Sequence, residues 1–422
     1  MVASSNKIIL TELGNIPEDW SYSTWGEVLE GFTSGATPYR AIPSYYSGKI
    51  KWVSSGELEY NTIYDTIEHI SDLAKEKTSL TLHPVNTFLM AITGLEAEGT
   101  RGSCALLGVP ATTNQSCMAI YGTDKVSVKY LFHFYCYFGE TLAFRYCQGT
   151  KQQSYTAKIV KKLPITFPKT KEEQNAIAEA LSDANNLIAS LERLIAKKTA
   201  IMQGVMQELL MGKKRLPGFS REWKQISIGN ELYTRVDYDN LNSFTSPEYT
   251  FEYITLENVD KGTLLETIVC QYATAPSRAR RIVHKNDVLF GTVRPNLHSH
   301  LFIANECKNV ICSTGFCVIG CHGNMLNAKF LYYKLFTEEI DRQVEAIISG
   351  SNYPALSSSD VKSLKIMIPS SIEEQVAISS ILSDMDAEIE QLEKKLGKYR
   401  LIKQGIMQEL LTGRKRLVKP TM

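Results

Sequence analysis

The stretch VKKLPITFPKTKEEQNAIAEALSDAN, which begins at Val160, returns as VKSLKIMIPSSIEEQVAISSILSDMD from Val361. The offset of 201 residues holds without a gap as far as Leu216 and Leu417, and roughly half of the paired positions are identical. Both copies end in closely similar motifs, QGVMQELLMGKKRL and QGIMQELLTGRKRL. The chain therefore contains an internal duplication.

Weaker similarity continues upstream of these copies. HPVNTFLMAIT at His83 matches HKNDVLFGTVR at His284, and TNQSCMAI around Cys117 matches STGFCVIG around Cys317. The layout is globule, helix, globule, helix, in which the helices are nearly the same and the globules share only a skeleton. Two copies are too few for a solenoid. This pattern instead indicates one scaffold that holds two different recognition modules.

The repeated helical segments carry apolar residues at alternating steps of four and three, which over more than four heptads predicts a coiled coil. Pro168 and Pro369 precede the helices, and Gly212 and Gly413 follow them. The first helix leads from one globule to the next and the second starts there, so we expect an antiparallel pair with a pseudo-two-fold axis. Long core helices are the alternative. The seam positions are Ile177, Leu181, Ala184, Ile188, Leu191, Ile195, Lys198, Met202, Val205 and Leu209, then Ile378, Leu382, Met385, Ile389, Leu392, Leu396, Tyr399, Lys403, Ile406 and Leu410.

The globules predict an α+β fold. Runs such as KIKWVSS, FEYITLE, NTFLMAIT and NDVLFGTVR indicate short strands separated by Gly and Ser turns, and YLFHFYCYF and FLYYKLF indicate one helix in each globule. The sheets should be mostly antiparallel or mixed.

Composition narrows the class of protein. The chain has 422 residues, 44% of them hydrophobic, and a formal net charge of +1. It is long enough for two or three domains, has no apolar run of membrane-spanning length, and shows no signal peptide. Nine cysteines without a C-x-x-C pair indicate a reduced, cytoplasmic compartment. The cluster Cys312, Cys317, Cys321 and His322 matches no standard zinc spacing, so we predict no metal site.

Catalytic motifs are missing from the sequence. It contains no Walker A sequence, no G-x-G-x-x-G that opens a helix, no Pro-Pro of an amino-methyltransferase loop, no G-x-S-x-G and no H-E-x-x-H. We interpret His298 and His300 as polar surface. A repeated scaffold without these motifs favours recognition over catalysis.

Side chains suited to base recognition are present in both globules. Arg, Lys, Asn and Gln make bidentate contacts to guanine and adenine edges. The candidate DNA-binding residues are Arg101, Asn114, Gln115, Lys151, Gln152, Tyr155, Arg278, Arg280, Arg281, Arg294, Asn296, Asn352 and Tyr353.

These motifs together resemble the specificity (S) subunit of type I restriction-modification systems, over nearly the whole chain. The resemblance rests on the EEQ-x-A-I-x(3)-LSD starts of both helices, on their QG-[VI]-MQELL-x-G-x-KRL ends, and on the SGATP loop at Ser34. GTVRP at Gly291 and STGFCVI at Ser313 belong to the same set.

The resemblance implies a non-catalytic chain in which residues 1–168 and 216–369 are target recognition domains, each reading half of an asymmetric DNA site. Residues 169–215 and 370–422 would be helical spacers that set the half-site spacing. They would dock two methyltransferase (M) subunits, which bring S-adenosylmethionine. Restriction (R) subunits with ATP and Mg would complete the complex. The predicted partner-binding residues are Gln174, Gln203, Glu208, Gln375, Gln404 and Glu409.

Two other classes of function stay open at this point. One is a DNA-free coiled-coil adaptor for proteins, and the other is an enzyme whose site the motifs do not reveal. Affinity for DNA that falls steeply with salt would separate a DNA-binding protein from an apolar adaptor.

Overall fold

The computed structural model describes residues 8–95, 101–147, 153–306, 308–348 and 354–418. The chain divides into two compact units. Unit 1 comprises residues 1–192 and 395–422, and unit 2 comprises residues 193–394.

Unit 1 combines short strands with helices. Its strands are β1 (Ile8–Thr11), β2 (Gly14–Pro17), β3 (Trp20–Thr24), β4 (Glu30–Ser34), β5 (Ile50–Val53), β6 (Asn61–Ile63), β7 (Glu68–Ile70), β8 (Phe88–Ala91), β9 (Cys104–Leu107), β10 (Thr112–Thr113), β11 (Cys117–Tyr121) and β12 (Pro164–Pro168). Its shorter helices are α1 (Trp25–Val28), α2 (Asp72–Lys77), α3 (Val128–Tyr146) and α4 (Ala157–Val160).

The core of unit 1 lies between a mixed sheet and helix α3. The sheet has the order β4-β11-β8-β9-β6, in which only β6 and β9 run parallel. Trp25, Phe88 and Tyr135 meet edge to face in this core. A smaller sheet, β10-β5-β7, and the pair β3–β12 complete the unit.

Unit 2 repeats the strand arrangement of unit 1, with strands and helices of different lengths. Its strands are β13 (Trp223–Ser227), β14 (Thr234–Val236), β15 (Thr250–Ile254), β16 (Val259–Asp260), β17 (Thr263–Leu264), β18 (Ile268–Gln271), β19 (Ala279–Ile282), β20 (Asp287–Gly291), β21 (Leu301–Phe302), β22 (Val310–Ser313), β23 (Phe316–Cys321) and β24 (Lys365–Pro369). Its shorter helices are α6 (Ala328–Lys334), α7 (Glu338–Ile348) and α8 (Ser358–Ser363).

The sheets of unit 2 repeat those of unit 1. The core sheet has the order β14-β23-β20-β21, and the smaller sheet has the order β18-β15-β22-β19. The pair β20–β23 corresponds to β8–β11, and the parallel pair β15–β22 corresponds to β5–β10. The predicted α+β class with mixed sheets is confirmed.

Two long helices carry the repeated sequence. They are α5 (Lys171–Leu210) and α9 (Ile372–Leu411). The hydroxyl of Thr170 accepts the N–H of Glu173 in the first turn of α5, and the hydroxyl of Ser371 accepts that of Glu374 in α9, both at 3.4 Å. A glycine with positive φ follows the end of each helix, with 67° at Gly212 and 69° at Gly413, a conformation that glycine adopts without a Cβ clash.

Burial along both helices follows the predicted seam. Each of the twenty seam positions is buried or half-buried, whereas most positions between them are exposed. Lys198 is accommodated because its ammonium lies 2.8 Å from the Glu388 carboxylate. In unit 1, Glu192 pairs with Arg400 at 2.7 Å, and the earlier residue Glu173 pairs with the later residue Arg416. The two helix segments of this unit therefore run antiparallel.

An arginine–glutamate pair, here called the clasp, fastens the beginning of one long helix to the residues after the other. In unit 2, Arg215 donates to both oxygens of Glu374, at 2.6 and 2.8 Å, and Glu374 is fully buried. In unit 1, Arg416 donates to both oxygens of Glu173 and also to Asp19, at 2.9 and 2.8 Å. The shared EEQ and KRL motifs are therefore intramolecular partners.

Within the described part of the chain, no helix is both long enough and apolar enough to cross a membrane.

Substitution of Arg215 by alanine should lower the free energy of unfolding by about 3–5 kcal/mol, because it leaves the buried Glu374 carboxylate without its partner. The double variant Arg215→Leu with Glu374→Leu should recover most of this loss, since it buries no charge. Urea unfolding followed by tryptophan fluorescence measures both. Lys214→Ala, at an exposed neighbour, is the control. A single variant as stable as that control would contradict a structural role for the clasp.

Candidate nucleic-acid interface

In unit 1 the segment that leaves strand β8 lies between two other segments of the chain. The Ile92 N–H donates to Ser116 O at 2.9 Å, and the Tyr155 N–H donates to Ile92 O at 2.8 Å. Further along, the Leu95 N–H donates to Gln153 O at 3.3 Å. We call this meeting of residues 92–95, 114–116 and 153–155 junction 1.

Unit 2 has the same arrangement at the end of strand β20. The Thr292 N–H donates to Gly315 O at 2.8 Å, and the Leu356 N–H donates to Thr292 O at 2.9 Å. The Arg294 N–H donates to Pro354 O at 2.9 Å. We call the meeting of residues 292–294, 314–316 and 354–356 junction 2. The duplication therefore places one junction in each unit.

Junction 1 brings together three of the residues predicted to bind DNA. The Asn114 side chain accepts the Ser116 N–H at 3.0 Å and so fixes the turn. Gln115, at the exposed tip of that turn, accepts the Thr37 hydroxyl at 2.5 Å. The Arg101 Nε donates to Leu95 O at 3.0 Å, which holds this arginine at the same junction.

The SGATP loop reaches junction 1 because Gly35 has no side chain. A Cβ on Gly35 would lie 1.7 Å from the carbonyl oxygen of Thr113, so only glycine allows this approach. Two residues later, Thr37 meets Gln115. Thr37 lies outside the predicted DNA-binding set, although the SGATP motif was a signal for it.

Junction 2 presents exposed basic and amide side chains. Arg294, Asn296 and Arg278 are all exposed. Arg294 adopts a left-handed backbone, with φ 50° and ψ 56°, which is uncommon for a residue with a Cβ. Its peptide N–H is fastened to Pro354, and its carbonyl accepts the Leu297 N–H at 2.9 Å. The carbonyl of Arg278 accepts the N–H of Thr314 at 2.9 Å, which brings Arg278 to this junction.

Three cysteines of unit 2 lie within strands. Cys312 lies on β22 in the smaller sheet, and Cys317 and Cys321 lie on β23 in the core sheet. Burial raises the pKa of all three thiols, to about 12 for Cys317. In the ranges that the structure describes, no group of three or more His, Cys, Asp or Glu side chains is arranged to hold a metal ion.

The chain matches the model of a known protein family over two ranges. The model of the "Type I restriction modification DNA specificity domain" matches residues 17–198 and 245–398. The chain belongs to this family. Its members are specificity subunits, so the chain is a non-catalytic, DNA-recognition component of a type I restriction-modification system, as the sequence predicted.

Individual relatives support this assignment along the whole chain. The type I restriction enzyme MjaIX specificity subunit of Methanocaldococcus jannaschii is 24% identical over 391 residues, which is 85% of this chain and 85% of the relative. The crystal structure of a type I restriction-modification S subunit from M. genitalium has a TM-score of 0.62 at 17% identity, and covers 96% of this chain and 99% of that one. A chain from a structural study of complex assembly and conformational transition of the type I R-M system has a TM-score of 0.54 at 16% identity, and covers 95% of this chain and 99% of that one.

The structure corrects the prediction that Arg281 contacts DNA. Its guanidinium lies inside unit 2, where it pairs with Asp237 and donates to the Phe316 carbonyl and, at 3.2 Å, to the Ser358 hydroxyl. Only 13% of the side chain is exposed. Arg281 therefore supports junction 2 from within. The adjacent Arg280 is partly exposed, with its guanidinium 5.2 Å from the Tyr272 ring centre.

Tyr155 is a second correction, because it is only 3% exposed and belongs to the core of unit 1. Its peptide group, not its side chain, forms part of junction 1.

His300 was expected at the surface but is 1% exposed, and burial lowers the pKa of its imidazole to about 3. The neutral ring accepts the Gly291 N–H at 3.2 Å, which satisfies a buried backbone group. His298 is half-buried, and its Nε2 lies 2.8 Å from Asp341.

The structure also corrects the prediction that Gln174 and Gln375 bind a partner subunit. The Gln174 amide accepts the Ser127 N–H and donates to the carbonyls of Lys125 and Pro168, each at 2.8 Å. Gln375 makes the equivalent bonds, accepting the N–H of Asn327 at 2.9 Å. Both side chains are buried, so they clamp each helix start to its own unit.

The remaining predicted residues divide between the surface and undescribed segments. Gln203, Glu208 and Gln404 are exposed and Glu409 is half-buried. Lys151, Gln152, Asn352 and Tyr353 lie outside the described residues.

The variant Arg281→Ala should lower the free energy of unfolding by about 2–4 kcal/mol, because Asp237 loses its buried charged partner. Arg278→Ala, an exposed arginine three positions earlier in the chain, should change stability by less than about 0.5 kcal/mol. Thermal unfolding of both variants measures the difference. Equal stability of the two would return Arg281 to the set of surface contacts.

Proposed function

We propose that each unit reads one half of a bipartite, asymmetric DNA site through its junction. The observation that carries this proposal is the repetition of the junction. The same three segments meet in both units, but the side chains differ, with the exposed Gln115 and the half-buried Arg101 at junction 1 and the exposed Arg294 and Arg278 at junction 2. Different side chains on one backbone frame suit two different half-sites, because base edges are distinguished by side-chain donors and acceptors.

The long helices set the distance between the two half-sites in this proposal. The clasps and the amide clamps fasten helix ends to both units, and the buried seams support antiparallel pairing as a coiled coil. The exposed residues Gln203, Glu208 and Gln404 and the half-buried Glu409 would contact two M subunits. These subunits would supply S-adenosylmethionine and the methyl transfer to adenine, and R subunits would supply the ATP- and Mg-dependent nuclease. In this proposal the recognition domains are residues 1–168 and 216–369.

Alanine at Gln115 and at Arg294 should each weaken binding by about 1–3 kcal/mol, the value of a bidentate base contact. Each change should relax recognition in one half-site only, because the residues lie in different units. The measurement is mapping of methylated bases and DNA affinity for the chain co-expressed with its M subunits. Lys77→Ala in unit 1 and Arg342→Ala in unit 2 are exposed-charge controls.

Two results would speak against the proposal. Equal losses on specific and scrambled DNA would make Gln115 and Arg294 phosphate contacts. Affinity that does not fall with rising salt would favour a protein adaptor instead.

A fragment of residues 1–216 should form a dimer that recognises a palindromic site. It keeps Glu173 and Asp19 and loses Arg416, but Arg215 is the repeat equivalent of Arg416 and carries the same guanidinium. Two fragments can therefore form the clasp reciprocally, in a self-complementary contact. Light scattering gives the oligomeric state, and methylation mapping with the M subunit gives the site. The variant Arg215→Ala of the same fragment should dimerise less well. A monomeric fragment, or an asymmetric modified site, would contradict the reciprocal dimer.

A further inference from the structure

Each unit holds one strongly exposed aromatic side chain in the same loop of the repeat. This loop connects β4 to β5 in unit 1 and β14 to β15 in unit 2. It carries Tyr39, which is 70% exposed, and Phe244, which is 94% exposed. A single exposed apolar residue needs no explanation, but a strongly exposed aromatic ring in the same loop of both copies of the scaffold does.

The backbone around Tyr39 is fixed next to junction 1. The Tyr46 hydroxyl donates to Pro38 O at 2.6 Å, and the Ile42 N–H donates to Tyr39 O at 3.2 Å. Thr37, two residues before Tyr39, donates its hydroxyl to Gln115. The Tyr39 ring therefore projects from an anchored loop beside a predicted base-contacting residue.

The backbone around Phe244 is fixed in a comparable way. The Phe244 N–H donates to the Asn242 side chain at 2.9 Å, and the Thr245 N–H donates to Asn242 O at 3.0 Å. The Tyr272 hydroxyl also donates to Asn242 O at 3.0 Å. The Leu241 N–H donates to Arg280 O at 2.8 Å, which ties this turn to the strand that carries Arg280.

In each unit an arginine stacks on a different, less exposed aromatic ring of the same region. Arg40 lies 4.5 Å from the ring centre of Tyr46 and 5.2 Å from that of Trp52. Arg280 lies 5.2 Å from the ring centre of Tyr272. Arg40 also donates to both carboxylate oxygens of Glu68, so its charge is paired within the protein. The exposed rings themselves favour nucleic acid as the occupant in a chain of this DNA specificity family, because an aromatic ring can stack on a base.

We propose that Tyr39 and Phe244 are aromatic wedges, each stacking on a base of duplex DNA and opening one base step in the half-site read by its unit. This inference rests on the proposed function and adds a mode of contact to it. Insertion of an apolar side chain at a base step partly unstacks it and bends the duplex. The rings would therefore read how easily a step deforms, in addition to the base edges read at the junctions.

The test uses the full chain in complex with its M subunits and a duplex of the mapped site, with 2-aminopurine placed at successive positions of each half-site. Binding should raise the fluorescence at one position in each half-site. Tyr39→Ala should abolish the rise in the first half-site only, and Phe244→Ala in the second only. Each variant should also weaken binding by about 5- to 100-fold. Tyr39→Phe and Phe244→Tyr should restore both signals, because they keep the ring.

The controls are Tyr64→Ala and Leu232→Ala, which remove equally exposed side chains, 68% each, elsewhere in units 1 and 2. Unchanged fluorescence and affinity for Tyr39→Ala and Phe244→Ala, with binding still lost for Arg294→Ala, would overturn the wedges and leave the proposed function intact. Loss of M-subunit assembly with normal DNA affinity would also overturn them, since the rings would then be protein contacts. Failure of the unaltered complex to bind any duplex would instead defeat the proposed function.

Discussion

A buried arginine–glutamate pair that joins the start of one long helix to the residues after the other is the interaction on which the structure depends. Glu374 is fully buried beneath Arg215, and Glu173 is 2% exposed beneath Arg416. A carboxylate at such a position is destabilising without its cation, so the two residues must be present together. This requirement explains why the EEQ and KRL motifs are both kept in the two copies of the repeat.

The clasp is one part of a frame that is common to the two units. The amide clamps of Gln174 and Gln375, the glycine helix ends and the hydroxyls at the helix starts occur in both copies with the same geometry. The loops that meet at the junctions differ in sequence while their backbone hydrogen bonds correspond. A rigid frame with variable surface loops allows recognition to change without loss of the fold, because loop side chains contribute little to the core.

The net charge of +1 does not by itself describe the outer surface, because several charged side chains pair inside the units. Arg215, Arg416 and Arg281 are neutralised inside the units, and the buried Lys334 ammonium donates to Leu210 O at 2.7 Å. These cations serve the fold and add little to the outer surface. Local charge, and not net charge, is the relevant quantity for phosphate binding, and junction 2 presents the exposed Arg278 and Arg294.

The sequence by itself determined the duplication, the two long helices and the α+β globules. Periodicity and turn residues are local properties, so a single chain reveals them, and the predicted seam positions of both helices are buried or half-buried. The sequence did not reveal that Gln174, Arg281 and Tyr155 act within the fold. A polar side chain looks the same in sequence whether it meets DNA or a distant part of its own chain. Only the tertiary structure brings Arg416 to Glu173 across 243 residues, and only burial decides that such a pair must be formed within the molecule.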